Sequence, residues 1–155
     1  DTTQTMLEET QWRWLEETLS SAADFRIIVS SVQFLAAGHG WECWRMLPHE
    51  RMRMITLLDK LAVDNVLFLS GDRHRGGLYR LTTPGGNTIH EITSSPLNAT
   101  TYPSLEAGPH RIGGPTYTGQ NFGLVTIDAE ERMIRAELLG TDGDSVCSLT
   151  VEKGS

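Results

Sequence analysis

The segment Asn65-Val66-Leu67-Phe68-Leu69-Ser70-Gly71-Asp72-Arg73-His74 places a carboxylate and an imidazole two residues apart, directly after an apolar run. Asp72 offers a hard oxygen ligand and His74 a nitrogen ligand, and one intervening residue lets both face a common cavity. The position is favourable, because open α/β sheets bind ligands in the crevice beyond the carboxyl ends of their strands. Gly71 is expected to permit the sharp exit from the strand. Spacing alone leaves other uses open: the pair could cap a loop, bond to each other, or serve as general acid and base. Two ligands do not complete a metal site, since structural zinc takes four and catalytic zinc usually three protein groups plus water, so the remainder must come from elsewhere. Arg73 and Arg75 flank the histidine and suit bidentate contact with phosphate; a solvated surface arginine or an internal ion pair is the other reading.

The elements that would position this pair follow from hydrophobic periodicity. Thr5-Met6-Leu7-Glu8 has capping-box spacing, and Trp12, Leu15 and Leu19 then recur on one face of a helix whose wet side carries Glu8, Glu9, Arg13, Glu16 and Glu17. Residues 25–32 form a near-continuous apolar run, expected for a strand covered on both faces. Residues 33–46 read as a long functional loop carrying Gly38, Gly40, His39, Trp41 and Trp44. Trp41 and Trp44 there would anchor the loop or line a cleft. Pro48 opens a second helix with Met52, Ile55, Leu58 and Leu61 on its apolar face, ending near Ala62, and residues 65–70 form a second buried strand. Helix, strand, helix, strand is the grammar of parallel strands joined by crossovers. Beyond Leu78 the pattern becomes short strands at 78–82, 88–93, 122–127, 133–139 and 146–151, separated by turns at Pro84-Gly85-Gly86-Asn87, Asp128-Ala129-Glu130-Glu131 and Thr141-Asp142-Gly143-Asp144. Residues 94–120, with four of the six prolines, read as a long surface excursion.

Composition bounds the rest. The chain has 155 residues, a net charge of -7 and 39% hydrophobic residues, which fits one domain or part of one and disfavours a nucleic-acid backbone as the main partner. No apolar run reaches the roughly 20 residues that cross a bilayer. Asp1-Thr2-Thr3-Gln4 does not begin a basic-then-apolar leader, so no signal peptide is expected in this chain. Cys43 and Cys147 lack metal-ligand spacing, and a disulfide or two free thiols are both open. His39, His49, His90 and His110 have no partner at ligand spacing and read as ordinary surface or strand histidines. Ser94 and Ser95 lack the Gly-x-Ser-x-Gly elbow of a serine hydrolase. Met46, Met52 and Met54 read as core or loop contacts.

Several ordered segments resemble the C-terminal half of the alkaline phosphatase D-like metallophosphatases. Thr5-Met6-Leu7 with Gln11 and Trp14-Leu15 is similar to the family's opening helix, and Ile27-Ile28-Val29-Ser30-Ser31 to the strand after it. Glu42-Cys43-Trp44 followed by Pro48 and Glu50-Arg51 resembles an acidic-x-Trp segment leading into a Pro-x-Glu-Arg helix. Phe68 to His74 resembles the metal-site strand, Glu91-Ile92-Thr93-Ser94-Ser95 the strand downstream, and Asn121-Phe122-Gly123-Leu124 with Ile127-Asp128 and the Asp142-Gly143 turn the closing strands. Arg45-Met46-Leu47 departs from the Asp-Gly-Tyr usual at that place.

The resemblance implies an α/β metallophosphatase-like αββα sandwich, residues 1–155 forming the C-terminal part of the catalytic domain: a parallel segment with two crossover helices, then antiparallel strands. It implies hydrolysis of phosphate monoesters or diesters, with Asp72 and His74 as ligands in a multinuclear centre of iron and calcium, or of zinc or manganese. Arg73 and Trp44 are the candidate substrate contacts. The remaining ligands are expected from an N-terminal half, present as a second chain or a missing segment, so the fragment alone should be inactive. A periplasmic or extracellular setting is implied. Two other functions stay open: a non-catalytic structural or interaction module that keeps the half-fold, and a distinct hydrolase using Asp72 and His74 as acid and base.

Overall fold

Helix α1 (Glu9–Ser20) buries Trp12, Leu15 and Leu19, the stripe expected from their spacing. Its capping box lies three residues later than the sequence suggests, at Glu8 and Gln11, where Gln11 Oε1 accepts the Glu8 amide at 3.0 Å. The reason is tertiary: the Met6 and Leu7 amides donate to Glu50 Oε2 at 3.0 and 3.1 Å, so this stretch is tied to the second helix. The computed structural model describes residues 4–103 and 105–153, which leaves the expectation for Asp1 to Thr3 outside the described residues.

Strand β1 (Arg26–Val29) corrects the expectation of a doubly covered strand. Its residues alternate between half-buried and exposed, with Ile27 37% and Val29 77% accessible, because β1 is an edge of its sheet. After a long loop and a 3-10 turn at Trp44–Met46, helix α2 (Pro48–Lys60) starts with proline in its first turn and buries Met54, Ile55, Leu57 and Leu58. Met52, placed on the apolar face by spacing, is 54% exposed, as is Met46 at 56%. Strand β2 (Val66–Ser70) is buried as expected: Phe68 packs among the residues of the two helices while Leu67, its neighbour, points to the other sheet.

Strands β3 (Gly76–Thr82) and β4 (Thr88–Thr93) form the hairpin signalled by the Pro84 turn. β4 then lies parallel to β2, and β2 parallel to β1. Among the described residues, only α2 therefore links two parallel strands; α1 precedes β1, and the step from β2 to β4 runs through β3 instead of a second crossover helix. Residues 94–120 are also not wholly an excursion, because β5 (Arg111–Tyr117) lies inside them and pairs with β3. Its Gly113, Gly114 and Pro115 hide a strand from a pattern search, since those residues are usually depleted in strands. The five-stranded sheet runs β1-β2-β4-β3-β5.

Strands β6 (Asn121–Asp128), β7 (Met133–Gly140) and β8 (Ser145–Glu152) make a second, antiparallel sheet in sequence order. Ile134, Ala136, Leu138, Leu149 and Val151 meet Leu67, Leu78 and Ile92 of the first sheet. The opposite face of the first sheet carries the helices through Phe68, Tyr79 and Ile89. β8 lies against β3 and β5 and β7 against β4, which leaves β6 on the β1 side. On that flank both sheets end in strands bearing exposed apolar residues, Ile27 and Val29 on β1 and Leu124 and Ile127 on β6. Cys43 and Cys147 are both free thiols.

Candidate functional site

The chain leaves β2 through a strained corner. Asp72 (φ 67°) and His74 (φ 52°) both occupy the left-handed region, which costs a non-glycine residue on the order of 1 to 3 kcal/mol and persists only where the surroundings impose it. The sharp exit lies at these two residues and not at Gly71, which is outside the left-handed set and whose added Cβ would make only ordinary contact with the Ser94 carbonyl at 3.6 Å. The corner is held by the Arg73 amide donating to Gly71 O at 2.8 Å and the His74 amide donating to Ser95 Oγ at 3.2 Å. Ser95 is fixed in turn by buried Asn121, whose Oδ1 accepts the Ser95 amide at 3.0 Å and whose Nδ2 donates to Ser95 O at 2.7 Å. Asn121 and Ser95 thus support the site. Neither was legible as a site residue, because the support passes between segments 26 residues apart.

His74 Nδ1 lies 2.6 Å from the Thr100 carbonyl oxygen, which can only accept. Nδ1 therefore carries a proton, so that in the neutral ring the Nε2 lone pair is left for a ligand, the arrangement usual for a metal-bound imidazole. The ring stacks on Tyr102 with centroids 5.6 Å apart. Asp72 and His74 line one cavity of about 340 Å³ with Trp41, Glu42, Arg73, Arg75 and Tyr102. The oxygen and nitrogen donors fit a cation in part: among the described residues, no group of three or more His, Cys, Asp or Glu comes together to hold one.

Arg73 reaches the cavity while paired with buried Glu106, and Arg75 Nε lies 3.3 Å from the same carboxylate. The internal ion pair is therefore realised. Arg73 Nε and Glu106 Oε2 are buried with no partner among the described residues. Trp41 lies over the Arg73 guanidinium at 5.9 Å and is 68% exposed on the cavity wall. Trp44, the expected substrate contact, is not brought there. It is 4% exposed, packs edge-on against Phe34 and donates from Nε1 to Ser30 Oγ at 3.0 Å, so its indole serves as an anchor. A larger cleft of about 580 Å³ opens between α1 and β1, but its lining contains no carboxylate or imidazole.

His39 has more structure around it than an ordinary surface histidine. Its Nδ1 accepts the Trp41 amide at 3.1 Å, and its Nε2–H donates to Gln33 Oε1 at 2.9 Å. Burial, reinforced by Arg73, Arg75 and Arg45, pushes its pKa down to about 4, so it is neutral at pH 7. Gln33 donates onward to Thr93 Oγ1 at 2.8 Å and Tyr79 Oη at 3.1 Å. Burial and then the nearby Glu91 push the Tyr79 hydroxyl up to about 12.

A sandwich of mixed and antiparallel sheets, with a carboxylate and an imidazole at the mouth of a central parallel strand, has the architecture of the metallophosphatase class. The PhoD-like phosphatase family matches residues 1–138, and the chain belongs to that family. A solved structure described as the structure of PhoD superposes with a TM-score of 0.77 at 16% identity, covering 98% of this chain and 34% of that one. The chain thus spans about a third of the length of that protein. No curated protein matches.

Proposed function

We propose that this chain takes part in metal-dependent hydrolysis of phosphate esters, as one part of a larger catalytic domain. Asp72 and His74 would be metal ligands, with the other ligands coming from an N-terminal polypeptide supplied as a second chain or a further segment. The observation that carries this reading is the strained corner, which presents Asp72 and a His74 with Nε2 available to the same cavity. A resident ion, iron with calcium or alternatively zinc or manganese, would polarise a phosphoryl oxygen and lower the pKa of a bound water. Arg73 lines the cavity, where its guanidinium is the candidate contact for a phosphate oxygen. Trp41 replaces Trp44 as the aromatic wall of the site.

Two features support the need for more polypeptide. The chain spans a third of the matched structure, and its open flank exposes Ile27, Val29, Leu124 and Ile127 on two edge strands. Apolar edge strands of this kind are normally covered or paired. Among the described residues no helix is long and apolar enough to cross a membrane, and an exported location remains part of the proposal. The test is to combine the chain with its N-terminal counterpart and assay a chromogenic phosphate ester with iron, calcium, zinc or manganese. Turnover in the mixture that Asp72→Ala abolishes supports the proposal, and no turnover with any of these ions rejects it.

The shortage of converging ligands among the described residues favours one second reading, a non-catalytic module that keeps the half-fold. A metal-free oligomer on size exclusion would favour the module, and a metal-bearing complex the enzyme. Turnover that resists chelators would instead assign Asp72 and His74 as acid and base.

A further inference from the structure

We propose that Glu91 is a positioning residue that locks residues 33–41 to the end of β2 and so, through His39, sets where Trp41 stands beside Asp72 and His74. The inference deepens the phosphoesterase reading, which names that cavity as the reaction site. Glu91 is fully buried, on the face of β4 that it shares with Ile89 and opposite Phe68 and Tyr79 in register. An apolar side chain would suit that place for stability alone, because a buried carboxylate must replace all its lost hydration. Its oxygens are instead spent on a loop. Oε1 accepts the Phe34 amide at 2.8 Å and the Ser70 hydroxyl at 2.7 Å, Oε2 accepts the Leu35 amide at 2.6 Å, and the Ala36 amide adds to these.

From the other side Arg51 Nε donates to Phe34 O at 2.9 Å, and its guanidinium lies 5.5 Å from the Phe34 ring. The loop backbone is therefore gripped by an acid at its amides and by a base at its carbonyl. Ser70 links the same carboxylate to the strand that ends two residues before Asp72. Gln33, bonded to Thr93 on the Glu91 strand, carries the hold on to His39 and from there to the Trp41 amide. The segment that bears the cavity wall and the corner that bears the ligands thus share one buried anchor.

The test is hydrogen exchange on the 155-residue chain, with Glu91→Gln as the variant. Glutamine keeps the shape but turns a donor toward amides that need an acceptor. Amides 34–36 and the segment up to Trp41 should exchange at least tenfold faster, while residues 134–138 of β7 keep their protection. Nitrogen NMR of His39 should move from a pure Nε2–H tautomer to a mixture. Unchanged exchange over 34–41, or equal loss throughout the chain, overturns the proposal. Ser70→Ala removes only one donor to the carboxylate. If Glu91→Gln does not fold, this variant should speed exchange at 34–36 alone, and no change there counts against the anchor. In an active assembly with the N-terminal part, Glu91→Gln should lower kcat/KM at least tenfold at wild-type metal content, whereas unchanged kcat/KM refutes the link to the site. An inactive wild-type assembly would reject the phosphoesterase reading and leave the exchange result to decide the anchor.

Discussion

Removing the Glu106 carboxylate should be among the most damaging single changes in the chain. Its side chain is 9% exposed, and the Arg73 and Arg75 side chains beside it are 8% and 4% exposed, so solvent screens little of their interaction. At an effective dielectric of about 20, one charge pair at the Arg75 distance is worth roughly 5 kcal/mol before desolvation is counted. Desolvation offsets much of that, but Glu106→Gln leaves the Arg73 guanidinium buried without the carboxylate that pairs with it. Breaking a buried pair in this way costs about 3 to 5 kcal/mol. Urea unfolding reads the loss as a lower midpoint at an unchanged slope, with a shift of 1 M or more for a typical slope of about 1 to 3 kcal/mol per M. Replacing Arg73 together with Glu106, as in Arg73→Met with Glu106→Leu, should recover the part of the loss that comes from Arg73, since apolar groups of similar volume often substitute for a buried pair without loss. A Glu106→Gln loss below about 1 kcal/mol, the range of a surface pair, would refute the reasoning.

Other outcomes follow from the same structure. Gly38→Ala should destabilise and disturb the cavity, because an added Cβ would overlap the Ala107 carbonyl, which is backbone and cannot turn aside; thermal melting and Trp41 fluorescence would register it. Gly71→Ala, by contrast, should shift the melting temperature by little, against the sequence expectation. Glu50→Ala should cost about 1 to 3 kcal/mol by stranding the Met6, Leu7 and Trp12 Nε1 donors, measured by denaturation. The His39 imidazole should titrate near pH 4 by NMR. Its depressed value means that the unfolded chain takes up the proton first, so the stability it contributes is complete above about pH 6.5 and is lost as pH falls toward 4. A midpoint near 6.5 would show that the loop neither buries the ring nor holds it beside Arg73 and Arg75.

The parts of the fold legible in the sequence are those governed by local pattern: the α1 stripe, the β2 run, the β3–β4 turn and the antiparallel order of β6 to β8. The misses share a cause in tertiary partners. β1 reads as apolar on both faces, yet whether a face is covered depends on which strands lie beyond it. β5 is concealed by Gly113, Gly114 and Pro115, which pairing with β3 overrides. The capping box is displaced because Glu50, 44 residues from Met6, takes the amides first. At the site, the cavity that Asp72 and His74 share was legible from their place after a buried strand, whereas the pairing of Arg73 with Glu106, 33 residues away, was only one of two open readings. Trp41 and Trp44 could not be ranked without knowing which one the Ser30 hydroxyl and the Phe34 ring would hold.

Glu50, Arg51 and Glu91 also show why motif likeness alone misjudges roles. All three are charged residues in segments resembling the metallophosphatases, and a reading by residue type would send them to the reaction site. The structure commits each to backbone: Glu50 to the approach to α1, Arg51 and Glu91 to the start of the long loop. None of them lines the cavity with Asp72 and His74. A backbone tied to buried side chains is costly to displace, since a buried amide or carbonyl that loses its partner forfeits about 1 to 3 kcal/mol. That rigidity is what a strained corner requires: left-handed Asp72 and His74 relax unless the segments around them are fixed. The division of labour is therefore physical, with exposed or half-buried donors at the mouth of β2 and buried charges behind them holding the loops that shape it.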